Sequence, residues 1–189
     1  MKQSVKEEHA IILDFLPHGY PFDTRPMHRK MPVAQAIGKD HFILLELVPK
    51  KGITLQPNQV VYMGEGKRDE IHHIVGKITL DKLTQTAKGE LEFIIKDLVE
   101  KNEQRFVKFF NEAQPINIRR HQLELLPGIG KKHMIQIIEE RERKIFASFE
   151  DIKARVKLLP DPEKAIIKRI LLELNNEDKY KIFVDSPIA

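Results

Sequence analysis

Hydrophobic positions along this chain follow two different periods. Up to about residue 78 they come in short runs, VAQAI (33–37), HFILLELV (41–48), QVVYM (59–63) and IHHIVGKI (71–78), separated by turn residues. Runs of this kind predict β-strands, and Gly38-Lys39-Asp40 has the length of a hairpin turn. HFILLELV is almost continuously apolar, which suits a strand buried on both faces or curled into a small barrel. An earlier apolar piece, HAIILDFLP, leads into a basic stretch where prolines at 17, 21, 26 and 32 argue against a helix. This many short strands in succession predict a small closed or partly open barrel resembling oligonucleotide-binding folds.

After residue 78 the period becomes helical. Thr79 or Asp81 is placed to open a helix through Leu83. Leu91, Ile94, Ile95, Leu98 and Val99 then mark one buried stripe. Phe106, Phe109 and Phe110 continue the pattern in a helix that must stop before Pro115, and such an aromatic trio is expected in the core. The predicted fold class is α+β with two domains. A small OB-like β-barrel is expected over 1–85, a helical connector over 86–114 and an all-α domain over 115–189.

The most specific text is INIRRHQLELLPGIGKKHMIQIIEERER, residues 116–143. A helix carrying Ile118, Leu125 and Leu126 is predicted to end at Leu-Pro-Gly-Ile-Gly, and a second to begin near Lys131 with Met134, Ile137 and Ile138 as its stripe. Gly128 and Gly130 flank Ile129, which can plug between the helices. Glycine permits unusual backbone angles and blocks no amide. Those amides and the following helix start form a donor set for a phosphate oxygen, with Lys131 and Lys132 beside it. Such a site reads no base edge and is expected to bind nucleic-acid backbone without sequence preference. The run resembles the helix-hairpin-helix motif of DNA repair, replication and uptake proteins through Leu126, Gly128, Ile129, Gly130 and the two lysines.

A repeat lies downstream. Leu125-Leu126-Pro127 recurs 33 residues on as Leu158-Leu159-Pro160, and Met134, Ile137 and Ile138 match Ile167, Ile170 and Leu171. Between the copies, Ser148 with Asp151 marks a capped helix whose stripe is Phe149, Ile152, Val156 and Leu159. The pair is read as a compact five-helix tandem unit. In the second copy Asp161 and Glu163 replace Gly128 and Gly130. Asp161-Pro162 reads as an N-cap followed by proline at the first helical position. Its carboxylates would occupy the donors and repel phosphate, so the second copy is expected to be structural.

Net charge is only +4, from 32 basic and 28 acidic side chains, so the total does not by itself point to a polyanion. Local clusters change the picture, because binding depends on how many phosphates one face neutralises. Arg119 and Arg120 precede the hairpin, and Arg29, Lys30, Lys50 and Lys51 offer a second basic face on the β domain. With no cysteine, thiolate metal sites and cysteine nucleophiles are excluded. Gly64-Glu65-Gly66-Lys67-Arg68 lacks phosphate-loop spacing. His72-His73 is read as pointing to opposite faces of a strand, so no metal site and no cofactor is expected. An enzyme reading, as a DNA glycosylase with Lys132 and Glu150 or Asp151 as its reactive pair or as a nuclease, lacks the surrounding sequence or residue constellation such enzymes carry, and no catalytic residue is assigned. No run approaches the length of a membrane span and MKQSVKEEHA lacks a secretory pattern, so a cytoplasmic protein with no membrane partner is expected.

Over its length, through FVKFFNEAQPINIRRHQLELLPGIGKK, the SFEDI helix and the closing KYKIF, the chain resembles an uncharacterised archaeal family of predicted RNA- or nucleic-acid-binding proteins. That resemblance implies a nucleic-acid partner, RNA favoured over DNA. The alternative is a protein-interaction module docking in a ribosomal, repair or transcription assembly.

Overall fold

Residues 5–186 are described by a computed structural model. The apolar runs form five antiparallel strands, β1 (His9–Leu16), β2 (Val33–Gly38), β3 (Leu44–Pro49), β4 (Val60–Tyr62) and β5 (Ile71–Lys77). Their order across the sheet is β4-β1-β2-β3-β5. HAIILDFLP, not assigned to an element on sequence alone, is therefore a central strand. Its unbroken apolarity has a simple cause, since Ala10 and Ile12 point into the curl of the sheet while Ile11 and Leu13 face the helices. Leu45 and Leu47 of β3 likewise line the curl, and Leu44 faces the helices.

Of the two forms expected, closed or partly open, the sheet takes the open one, a half-barrel. Among the described residues β4 pairs only with β1 and β5 only with β3, so the sheet curls without closing. A cavity of about 600 Å³ opens there, with Tyr62 and Met63 on one side and Ile74 and Lys77 on the other.

The helical part begins one step later than predicted. Thr79 precedes a short 3-10 turn over Leu80–Lys82 without a side-chain cap, and Thr84 caps the long helix α1 (Gln85–Lys101) by accepting from the Ala87 amide. Helix α2 (Glu103–Glu112) carries Phe106, Phe109 and Phe110 inward. The ring of Phe106 lies 5.5 Å from that of Phe183, and Phe109 lies 5.1 Å from it.

The largest correction concerns residues 115–126. The predicted first helix of the hairpin is instead a small ribbon, β6 (Pro115–Asn117) and β7 (Arg120–His121), followed by a 3-10 turn over Gln122–Leu125. Ile118, expected to be buried, is fully exposed at the ribbon tip. The Asn117 side chain explains the turn, because its Oδ1 accepts the Arg119 amide at 2.8 Å and folds the backbone back. Gln114 and Gln122 then clasp each other, at 2.7 and 3.0 Å. Three helices follow, α3 (Lys131–Arg143), α4 (Phe149–Arg155) and α5 (Pro162–Leu174), in place of the five expected for a tandem unit.

One apolar cluster runs from Ile11 and Ile37 of the sheet through Leu91, Ile95, Phe106, Ile129, Ile152 and Ile170 to Phe183. The expected divisions at 85 and 114 both fall inside it. A buried ion pair ties the end of the chain to this core. Arg169 Nε donates to Glu173 Oε1 at 2.7 Å, and the Glu173 carboxylate accepts the amides of Ile182, Phe183 and Val184 at 2.8–2.9 Å. No described helix is long and apolar enough to cross a membrane.

Candidate nucleic-acid interface

The predicted turn sits where the 3-10 segment meets α3. Ile129 donates its amide to the Leu126 carbonyl at 3.1 Å, and its side chain is buried in the main apolar cluster. Gly128 has φ +83°, a left-handed angle that favours glycine. Helix α3 starts on Gly130, which offers no side chain to its first amides. An α-helix leaves those first amides without an internal acceptor, and they carry a partial positive charge. Gly128, Gly130, Lys131 and Lys132 are all exposed.

Helix α5 begins quite differently. Asp161 Oδ1 accepts the Lys164 amide at 3.1 Å, and its other oxygen meets Lys153 Nζ at 3.1 Å. Burial pushes its carboxyl up, but the Lys164 amide and the Lys153 ammonium outweigh this and hold it below the ordinary range. Glu163 is pushed up by burial and then by the carboxylates of Glu100 and Asp161. The second turn is thus capped from within, and two carboxylates, Asp161 and Glu163, stand where the first has glycines. The two copies also differ in burial, as Leu125 is buried while its counterpart Leu158 is exposed at φ +58°.

The other basic residues divide into two groups. Arg120 lies over the Tyr180 ring at 5.5 Å and reaches Asp178 at 4.0 Å. Asp178 also takes Arg169 Nη1, which in turn donates to the Leu125 carbonyl at 3.1 Å. Arg120 is therefore linked through this network to the segment that carries the turn, while Arg119 stands at the ribbon tip. Arg29, Lys30, Lys50 and Lys51 occupy loops of the half-barrel. Lys50 Nζ donates to the Arg68 carbonyl. Arg29, Lys30 and Lys51 make no side-chain hydrogen bond or ion pair among the described residues, and no such bond brings this group to the α3 turn.

Two readings of individual residues need correction or completion. His72 and His73 do not point apart: their Nδ1 atoms lie 2.9 Å from each other on the exposed face of β5. The cause is an irregularity in the β3–β5 register between Val48 and Pro49, opposite this pair, since a bulge places two consecutive residues opposite one. No group of three or more metal-ligating side chains gathers around them among the described residues. Asp151 is occupied, accepting from the Ala147 amide and pairing with Arg155, and Glu150 pairs with Lys153.

Sequence reasoning overlooked Tyr20 and Phe22, whose rings stack 4.9 Å apart at 9° in the proline-rich loop before β2, with Phe22 78% exposed. Two aromatics flanking Pro21 amid basic residues were the available signal.

A half-barrel sheet continuous with a helical bundle, in which α3 starts without a side-chain cap and its repeat counterpart α5 starts under one, defines a mixed α/β protein. The chain belongs to the family described as protein of unknown function (DUF655), whose model matches residues 6–185. It is similar to the uncharacterized protein MJ0038 of Methanocaldococcus jannaschii, 45% identical over 180 residues, covering 94% of this chain and 80% of that one. The crystal structure of Af1531 from Archaeoglobus fulgidus, of the same family, superposes with a TM-score of 0.84 at 46% identity, covering 94% of this chain and 99% of the other.

Proposed function

We propose that this protein binds nucleic acid without catalysing a reaction on it, RNA being favoured over DNA. The contact is made by the Gly128–Lys132 turn in the manner of a helix-hairpin-helix phosphate site, with the 3-10 turn over Gln122–Leu125 standing in for the first helix. The observation that carries this reading is the contrast between the two helix starts. Helix α3 begins on Gly130 with two exposed lysines, and α5 begins under the Asp161 carboxylate. An anion is favoured at the first and repelled at the second. Arg119 and Arg120 extend the positive face, and Arg29, Lys30, Lys50 and Lys51 supply a separate one on the half-barrel.

The test is binding of labelled RNA and DNA as a function of salt. Replacing Lys131 and Lys132 together by alanine is expected to weaken binding and flatten the log–log salt slope by about two units. Equal affinity and slope in wild type and double variant would overturn the assignment.

A further inference from the structure

We infer that the loop between β1 and β2 is a base-stacking platform for single-stranded nucleic acid, with the outer face of Phe22 as the contact. This inference rests on the nucleic-acid reading above and adds a second site to it, remote in sequence from the α3 turn.

The platform is built on a fixed ring. Tyr20 donates its hydroxyl to Glu46 at 2.6 Å and accepts from Gln35 Nε2 at 3.1 Å. Gln35 is fully buried, donates to the Lys82 carbonyl and accepts the Thr84 amide at 2.8 Å. Burial and the Glu46 carboxylate push the Tyr20 hydroxyl up to about 12, so it keeps its proton and its bond. The Asp23 amide donates to the Tyr20 carbonyl at 3.0 Å, closing a turn with Pro21 and Phe22 at its centre. That turn lays the Phe22 ring almost parallel to Tyr20, leaving Phe22 78% exposed. An aromatic ring held in this way offers a π-face at little further entropic cost.

The surroundings select the ligand. Arg25 is locked onto Asp23 through Nε and Nη2 at 2.6–3.0 Å, and that pair cancels. Arg29 and Lys30, at the end of the 3-10 turn Met27–Arg29 in the same loop, leave it net positive. An exposed aromatic ring in a net-basic loop suits a base stacked on the ring with its phosphates on the loop's basic side chains. A duplex keeps its base faces covered, so the ligand is single-stranded.

The experiment uses the full chain with three probes, a labelled oligouridylate, a labelled oligoadenylate and the blunt duplex formed from the two. Phe22→Ala is expected to weaken single-strand binding about 5- to 100-fold while leaving duplex binding unchanged. The protein contains no tryptophan, so Phe22→Trp introduces a single tryptophan that can be excited selectively over the tyrosines, expected to keep affinity and to be quenched by either single strand. Unchanged binding by Phe22→Ala with no quenching in Phe22→Trp would overturn the platform, and the Lys131→Ala, Lys132→Ala protein then decides the turn separately. Failure of the wild type to bind any of the three probes overturns both readings.

Discussion

A Cβ added to Gly128 would lie 2.9 Å from Cγ of Pro160, so the two turns of the internal repeat meet where the glycine of one faces the proline of the other. Gly128 also holds φ +83°. Gly130, two residues on, has φ −97° and nothing within 4 Å of an added Cβ. The two glycines therefore serve different ends. Gly128 is demanded by backbone and packing, whereas Gly130 keeps the start of α3 free of a capping side chain.

Gly128→Ala should cost about 1–3 kcal/mol, from left-handed strain together with the approach to Pro160. Gly130→Ala should cost less than about 1 kcal/mol, since glycine is only a modest N-cap. Urea denaturation of the two variants checks the ranking. Pro160→Ala in the Gly128→Ala background should recover the steric part and leave the strain.

The period of hydrophobic residues revealed the sheet and the stripes of α1, α2 and α3 because burial there is decided by local repetition: Leu91, Ile95 and Leu98 sit on the face their spacing assigns. It failed at 115–126, where Ile118, Leu125 and Leu126 imitate a helical stripe. Specific side-chain bonds decide that segment, with Asn117 folding the ribbon and His121 and Glu124 capping the turn after it. For the candidate site, the α3 turn and the Asp161 cap were legible as local motifs. The His72–His73 contact and the Tyr20–Phe22 stack were not, because each depends on how distant segments or a strand irregularity arrange the backbone.

His121 makes the fold at this turn sensitive to pH. Its Nδ1 accepts the Leu123 amide at 3.1 Å, which only the neutral ring can do, while its own amide donates to Glu124 at 2.8 Å. Burial, then the Arg141 charge, lowers its pKa, with Glu124 opposing. The unfolded chain therefore binds the proton more readily. Stability from this group is complete above the ordinary value of 6.5 and is lost as pH falls through the folded value. His121→Asn, which caps without titrating, should remove this contribution. Urea midpoints of both proteins across the mildly acidic range check it.

Arg169 and Glu173 were invisible as a functional unit in the sequence, yet they hold the chain end. Glu173→Ala would strand Arg169, which is 2% exposed, and release the amides of Ile182, Phe183 and Val184. Breaking one partner of a buried pair costs about 3–5 kcal/mol. The expected result is a large drop in unfolding midpoint together with early proteolysis after residue 175. Replacing Arg169 and Glu173 together by Met and Leu should cost less than the sum of the two single changes, because neither member of the pair is then left as a lone buried charge, and Asp178 keeps Arg120.

Asp161 separates capping from charge at the second turn. Asp161→Ala should cost about 0.5–2 kcal/mol by freeing the Lys164 amide. Asp161→Asn keeps an oxygen acceptor at the cap and removes the charge, so it should cost much less. If the carboxylates are what keeps this turn from binding phosphate, Asp161→Asn with Glu163→Gln should raise nucleic-acid affinity at low salt, and the gain should fade as salt screens the repulsion. Affinity measured against salt, beside urea unfolding of the same proteins, distinguishes the two roles. A purely structural Asp161 would leave affinity untouched while the alanine variant loses stability.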